Sequence, residues 1–313
     1  MKIPLLVIAG PTASGKSRAA VELALKLKGE VISADSMQVY KYMDIGTAKV
    51  DQATRLRVPH HLLDVVEPNQ EFTVVDFKEG ATAAAREIWA RGKVPILAGG
   101  TGLYIKALTD NYPLEHLPRD RACREQLNRL WDKEGRDYMV QWLHKVDPET
   151  AAKAADRRRI IRALEIFQLT GKAPTLIHRE AKGENPFSPM LFALTLPRPQ
   201  LYARIEARTD LMVIQGLVGE YTSLLKRGYS PACKAMQGLG YHHCRQYVQG
   251  RWTLAEMIMH LKQDTRRYAK RQLSWFRGME GIIWLDNTEP AAAIQRIYAL
   301  AAGKFADDGE VNK

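Results

Sequence analysis

Cysteine is scarce. The 313 residues hold three, Cys123, Cys233 and Cys244, an odd number at wide spacing. That excludes a disulfide framework. No Cys-x-x-Cys pair occurs, which argues against a cysteine-based zinc or dithiol site. Long apolar runs are missing too. Leu5 to Ala9 is too short to span a bilayer, so no membrane partner is expected. No signal-peptide pattern follows Met1, and a cytoplasmic protein is expected. Acidic residues fall short of basic ones, 35 Asp and Glu against 46 Lys and Arg, for a formal net charge of +11. The surplus is uneven: residues 1–110 carry +2, residues 111–190 carry +3 and residues 191–313 carry +6. An anionic partner is the first suspicion. Hydrophobic residues make up 46% and charged residues 26%, a globular composition that excludes disorder. The length suggests about two domains.

Apolar runs and helical periodicity alternate over the first hundred residues. Ile3–Ala9, Val31–Ser33 and Val94–Ala98 read as strands. Residues 17–28 and 72–91 read as helices, each closed by a glycine. Alternation of this kind predicts an α/β fold with a parallel sheet. From Arg119 to Thr170 there is no convincing strand. Cys123, Leu127, Leu130 and Trp131 share one helical face, and Tyr138, Trp142 and Val146 another. Asp147-Pro148 reads as an N-cap followed by proline at N1. Residues 172–190 read as a polar linker. Phe192–Leu196 restores a strand, and Ile282–Leu285 adds a late one. The expected architecture is a P-loop NTPase-like parallel sheet flanked by helices, formed by residues 1–112 and 189–313. An all-helical insertion, residues 113–188, interrupts it.

Gly10-Pro11-Thr12-Ala13-Ser14-Gly15-Lys16-Ser17 fits G-x-x-x-x-G-K-[ST] between a strand and a helix. The glycines let successive N–H groups turn inward, and the helix N-terminus adds partial positive charge. Lys16 supplies a point charge. Ser17 can ligate Mg²⁺. The loop predicts a bound di- or triphosphate group without naming it. An ATP-dependent kinase is the usual reading. Asp35-Ser36-Met37-Gln38-Val39-Tyr40 follows the second strand, and Gly99-Gly100-Thr101-Gly102 follows the third. Ligands in open α/β sheets bind at the carboxyl ends of strands, so these segments can converge on one crevice.

Farther on, Asp156 precedes Arg157, Arg158 and Arg159 at a helix start, with Arg162 one turn after Arg158. Cations in a first turn oppose the helix dipole, which favours a functional anion contact over a solvated face. From Lys262 to Arg277 six basic residues, including Lys270, Arg271 and Arg277, stand against the single acid Asp264. Lys262, Arg266 and Lys270 form a stripe. Tyr268, Trp275 and Phe276 are interleaved. The pattern suits a nucleic-acid backbone with an unstacked base, although Trp275 and Phe276 read better as core. Gln272 is polar within that helix and could touch RNA or backbone. His60 and His61 read as loop packing.

The set GPTASGKS, DSMQVY, IGTAK, PHHLLD, GGTGLY, RRIIRALEI and RYAKRQLSWFRG, spread from Gly10 to Gly278, resembles the tRNA dimethylallyltransferases. The resemblance implies transfer of a dimethylallyl group from dimethylallyl diphosphate to the N6 amine of the adenine at tRNA position 37, assisted by Mg²⁺. It makes Asp35 the candidate general base, with metal orientation as the competing role. Thr101 becomes a candidate for stabilising charge on the leaving group, or a turn residue only. The loop Gly10–Ser17 and Arg208, with Arg204 one turn before it, become diphosphate candidates. For tRNA, the resemblance implicates Asp35, Ser36, Met37, Gln38, Thr101, Arg124, Arg158, Arg159, Ile160, Ile161, Arg162, Gly240, Tyr241, Lys270, Arg271, Gln272 and Arg277. It implies that the insertion clasps the anticodon arm and that a single chain acts as a monomer. Two departures stand out. His242 replaces the usual Lys or Arg, and the segment before Asp156 is shorter than usual.

Overall fold

The computed structural model describes residues 2–111, 117–153, 156–180 and 184–310. The shortened segment at Ala154-Ala155 lies outside them. The chain divides into two compact units, Met1–Thr109 with Pro186–Lys313, and Asp110–Asn185.

The first unit is built on β1 (Ile3–Ala9), α1 (Lys16–Leu27), β2 (Gly29–Ser33), α2 (Gln52–Arg57), β3 (His60–His61), α3 (Val74–Ala90), β4 (Val94–Gly99) and α4 (Gly102–Thr109). The second unit holds α5 (Arg121–Val146), α6 (Pro148–Lys153), α7 (Arg157–Thr170) and α8 (Pro174–Glu180). The chain then returns through β5 (Phe187–Thr195), α9 (Arg198–Ile214), α10 (Leu217–Lys226), α11 (Tyr241–Val248), α12 (Leu254–Arg277), β6 (Ile282–Asp286) and α13 (Pro290–Glu310).

The six strands form one sheet in the order β3-β2-β4-β1-β5-β6, and every pairing is parallel. A parallel sheet needs both faces covered, and the two-residue period of a strand supplies both. Leu5, Val7 and Ala9 of β1 enter a core formed with Phe77, Ile105, Tyr221 and Phe276. Leu6 and Ile8 enter a core on the other face, formed with Leu23 of α1 and Ile297 of α13. Capping boxes start two of the covering helices, Thr73 with Asp76 on α3 and Thr253 with Glu256 on α12.

Register places the functional loops. Ala9 pairs with Gly99 and with Ala193, Ser33 pairs with Ala98, and Thr195 pairs with Asp286. Five strands therefore end at nearly one level, and the loops after them share one edge of the sheet.

Residues 172–190, expected as a linker, contain α8 and the start of β5. Pro189 concealed the strand. It pairs with Leu5 of β1, while pairing to β6 begins only at Leu191, so the first part of β5 is an edge on that side. His60 and His61 are likewise a short strand. His61 Nε2 lies 2.7 Å from the Glu30 carboxylate, which also pairs with Arg91 and Lys93.

In the second unit, Gly135 takes a non-helical conformation (φ 80°, ψ 178°) and breaks α5. Met139 and Leu143 enter the core, whereas Tyr138, read as sharing a helical face with Trp142 and Val146, is exposed. Asp147 works as the sequence suggests and more. Its carboxylate accepts the Thr150 N–H at the start of α6 and the Thr175 N–H at the start of α8.

Candidate active site

The P-loop leaves β1 at Gly10 and enters α1 at Lys16. Gly15 has φ 91°, and a Cβ there would strike the Asn287 amide. Asn287 follows β6, and its Nδ2 donates to the Ser14 carbonyl at 2.7 Å. That bond ties the loop to the end of β6. Ser14 Oγ is buried with no hydrogen-bond partner among the described residues. Thr12 N–H is already used, donating to Gln272 Oε1 at 2.8 Å. Ser17 stands exposed in the first turn of α1.

Lys16 donates to the Pro11 carbonyl at 3.2 Å. Burial pulls its ammonium down to about 8, helped by repulsion from Arg208 and opposed by attraction to Asp35. All three charges therefore act within one site. Arg208 Nη1 lies 3.4 Å from the Thr12 hydroxyl. Arg204, one turn earlier on α9, is exposed.

Asp35 lies just beyond β2, and its carboxylate accepts the Met37 N–H at 2.9 Å. This short turn fixes its orientation. Tyr268 of α12 is pushed up by burial and then by the charge of Asp35. Thr101 follows β4. Its N–H donates to the Ala34 carbonyl at 3.1 Å, and its Oγ1 accepts the Ser36 N–H at 3.1 Å. The DSMQVY and GGTGLY segments are therefore joined to each other.

The remaining motifs build the wall of the site. Gln38 accepts from Ser33 Oγ at 3.0 Å and donates to the Thr47 carbonyl at 3.1 Å. Lys49 of IGTAK donates to Asp64 of PHHLLD at 2.5 Å and to the Tyr40 carbonyl at 2.6 Å. Glu220 accepts the backbone N–H groups of Asp44, Ile45 and Gly46 and the Tyr241 hydroxyl. Glu220 went unnoticed in the sequence, because a lone carboxylate in a helix's first turn reads as ordinary dipole compensation. Its backbone partners lie 174 to 176 residues away.

Sequence comparison decides the family. A description of IPP transferases matches residues 38–279, and one of isopentenyl transferases matches residues 3–57. The chain belongs to the IPP transferase family. A tRNA dimethylallyltransferase of Pelotomaculum thermopropionicum is 46% identical, covering 91% of each chain. One from Geobacillus thermodenitrificans is 45% identical, covering 96% of this chain and 97% of its own. Among solved structures, the tRNA isopentenylpyrophosphate transferase of Bacillus halodurans is 40% identical with a TM-score of 0.74, covering 99% of each chain. A eukaryotic dimethylallyltransferase described as acting on tRNA is 31% identical with a TM-score of 0.83, covering 98% of this chain and 80% of its own. The IPP transferase chain is thus a prenyltransferase enzyme on a P-loop-like α/β fold.

Several residues of this IPP transferase expected to face RNA are committed elsewhere. Tyr241 is fully buried and packs against Gly46, so its side chain holds a loop. Gly240 lies beside Gly46 and Leu217. The Gln38 amide is spent on its own loop. Lys262 and Arg266 form ion pairs with Asp210 and Glu206 of α9, which removes them from the expected basic stripe. Phe276 is core, and Trp275 packs against it. Gln272 is buried, with both amide ends bonded to backbone. The cations that stay exposed on α12 are Arg267, which pairs with Asp264, and Lys270, Arg271 and Arg277.

Within the helical unit, Ile160 and Ile161 are buried in its core, so neither side chain reaches an outside ligand. Arg124 and Arg162 converge on Glu165, which is fully buried and also accepts the Asp120 N–H. A buried carboxylate demands such partners. The visible signal was an acid at position 165 on the apolar stripe of a helix. Arg157 pairs with Asp132 and lies over Trp131. The Asp156 side chain accepts the Arg159 N–H and caps α7, offsetting the cationic first turn. Arg158 and Arg159 remain exposed.

Proposed function

We propose that this enzyme transfers a dimethylallyl group from dimethylallyl diphosphate to the N6 amine of adenine 37 of tRNA, releasing diphosphate. The observation that carries the reading is the convergence of Lys16 and Arg208 on the P-loop, Arg208 Nη1 3.4 Å from the Thr12 hydroxyl, with Asp35 just beyond the end of β2 at the same edge of the sheet. Two cations suit a diphosphate, and the carboxylate suits an amine that must lose a proton. Adenine N6 is a poor nucleophile, because its lone pair is delocalised into the ring. Asp35 accepts a hydrogen bond from it and takes the proton as the nitrogen–carbon bond forms. The allylic carbon–oxygen bond breaks, and charge grows on the departing diphosphate. Lys16, Arg208, the loop N–H groups and Thr101 stabilise that charge. The unpartnered Ser14 hydroxyl supports an oxygen-rich ligand here.

A diphosphate substrate generally implies a divalent metal, and Mg²⁺ is our assignment. Among the described residues, no group of three acids, histidines or cysteines could hold an ion. An exposed serine beside a phosphate loop fits Mg²⁺, which takes few protein ligands and completes its shell with phosphate oxygens and water. Ser17 would hold it, and the ion would neutralise charge on the leaving group.

The target adenine must leave the anticodon stack to reach the allylic carbon. In our reading the exposed Lys270, Arg271 and Arg277, together with Ser36 and Met37, hold the RNA. The helical unit, through Arg158 and Arg159, clasps the anticodon arm of one tRNA per monomer. Among the described residues, no helix is long and apolar enough to cross a membrane. Lys270→Ala with Arg271→Ala is expected to weaken tRNA binding and flatten its salt dependence by roughly 0.7–0.9 per lost phosphate contact. Binding isotherms at several salt concentrations measure this, and an unchanged slope would show that the pair faces away from the RNA.

The direct test incubates the enzyme with dimethylallyl diphosphate, Mg²⁺ and unmodified tRNA, then digests the RNA and detects prenyl-adenosine by mass. Product confined to position 37 is expected. No product with several tRNAs bearing adenine 37, alongside ATP turnover, would favour a P-loop kinase instead.

A further inference from the structure

Gln272 directly follows two exposed cations, Lys270 and Arg271. Its sequence position points toward RNA, and its geometry points inward. The residue is 6% exposed. Oε1 accepts the Thr12 N–H at 2.8 Å, and Nε2 donates to the Gly100 carbonyl at 2.9 Å. Thr12 belongs to the P-loop. Gly100 precedes Thr101. One amide therefore spans the two loops that hold opposite sides of the proposed reaction centre, from 260 and 172 residues away in sequence.

The surroundings are shaped for this bridge. A Cβ on Gly100 would overlap Gln272 Nε2, and one on Gly102 would overlap the Trp275 ring. The glycines after β4 thus let α12 approach the backbone. Tyr268 lies one turn earlier on the same helix, and the charge of Asp35 adds to burial in pushing its phenol up. Glutamine is the side chain of this length that both donates and accepts. Glutamate would set an oxygen against the Gly100 carbonyl. Methionine would leave two buried backbone groups unpaired.

We infer that Gln272 is a positioning residue for transfer: it sets the P-loop against the Thr101 loop and ties both to the basic helix α12. It has no role in contacting tRNA. This inference rests on the reading that the P-loop holds the prenyl diphosphate. Because the Thr12 N–H is consumed, the ring of phosphate donors begins at Ala13.

Two full-length variants test it, Gln272→Met and Gln272→Glu. Each is assayed for pyrophosphate affinity, KM for dimethylallyl diphosphate, kcat and tRNA affinity, beside a melting curve. For Gln272→Met, pyrophosphate Kd and diphosphate KM are expected to rise about tenfold, with kcat reduced and tRNA affinity within about twofold. Gln272→Glu is expected to behave similarly at pH 8. Relative to wild type it should recover toward pH 6, because a protonated carboxyl can again donate to Gly100. A merely structural role would lower the melting temperature and leave diphosphate KM and kcat of the folded enzyme unchanged. Unchanged diphosphate parameters, or a tenfold loss of tRNA affinity alone, would overturn the inference. If Gln272→Met does not fold, the pH-dependent recovery of Gln272→Glu decides, and its absence counts against the inference. Wild-type enzyme that binds no pyrophosphate would instead sink the P-loop reading itself.

Discussion

Asp35→Asn lowers the rate of transfer by about 10²–10⁴-fold and leaves tRNA affinity within about twofold. Asparagine keeps the size of the side chain. Its amide oxygen can still accept the Met37 N–H that now orients the carboxylate at 2.9 Å. What it cannot do is take a proton from N6. The loss therefore falls on kcat, measured by single-turnover prenylation with saturating tRNA. An Asp35→Asn enzyme that retains full single-turnover rate would remove Asp35 from base catalysis and leave it the metal-orienting role. Equal loss of rate and of tRNA binding would mark it as a recognition residue.

The second large effect concerns Lys16. Lys16→Met costs about 10²–10³-fold in kcat/KM for the prenyl diphosphate, the scale seen when one donor to developing charge is removed. The same residue predicts a pH profile. Burial, then Arg208, lowers its pKa to about 8 against the pull of Asp35. The ammonium is charged below that value and neutral above it. Hence kcat/KM should fall as pH rises through about 8, since this parameter reports the free enzyme. Lys16→Arg keeps its charge far above pH 8, so its alkaline limb should move upward whatever its absolute rate. A wild-type profile flat to pH 9.5 would contradict the assignment.

Much of the first unit was legible because short-range rules govern it. The unbroken apolar run of β1, the strand–loop–helix setting of Gly10–Ser17 and the glycine stop of α3 need no distant partner, whereas α1 ends on Lys28 in the left-handed region and Gly29 already belongs to β2. β5 was misplaced because Pro189 signals a break locally and is tolerated where β6 has not yet begun. Tyr138 shares a helical face with Trp142, yet it stays exposed while Met139 and Leu143 take the core positions.

Charged and polar side chains were the hardest to read. Arginines at 124 and 162 and lysine at 262 look like an RNA-binding surface in one dimension. Glu165 and Asp210 neutralise them in three. The same holds for Gln272, whose partners lie on two loops it meets only when α12 packs onto the sheet.

By itself the amino-acid sequence determined the class of fold, the phosphate loop, the candidate base and, through seven motifs, the family, because each is written in contiguous residues or in a local period. The tertiary structure alone decided which cations are spent on internal carboxylates and which remain exposed. It also decided that the P-loop is held from Asn287 and Gln272. The Asn287 and Gln272 contacts cross more than 170 residues, and a contact between separate elements depends on the path of the intervening chain, which no local pattern records.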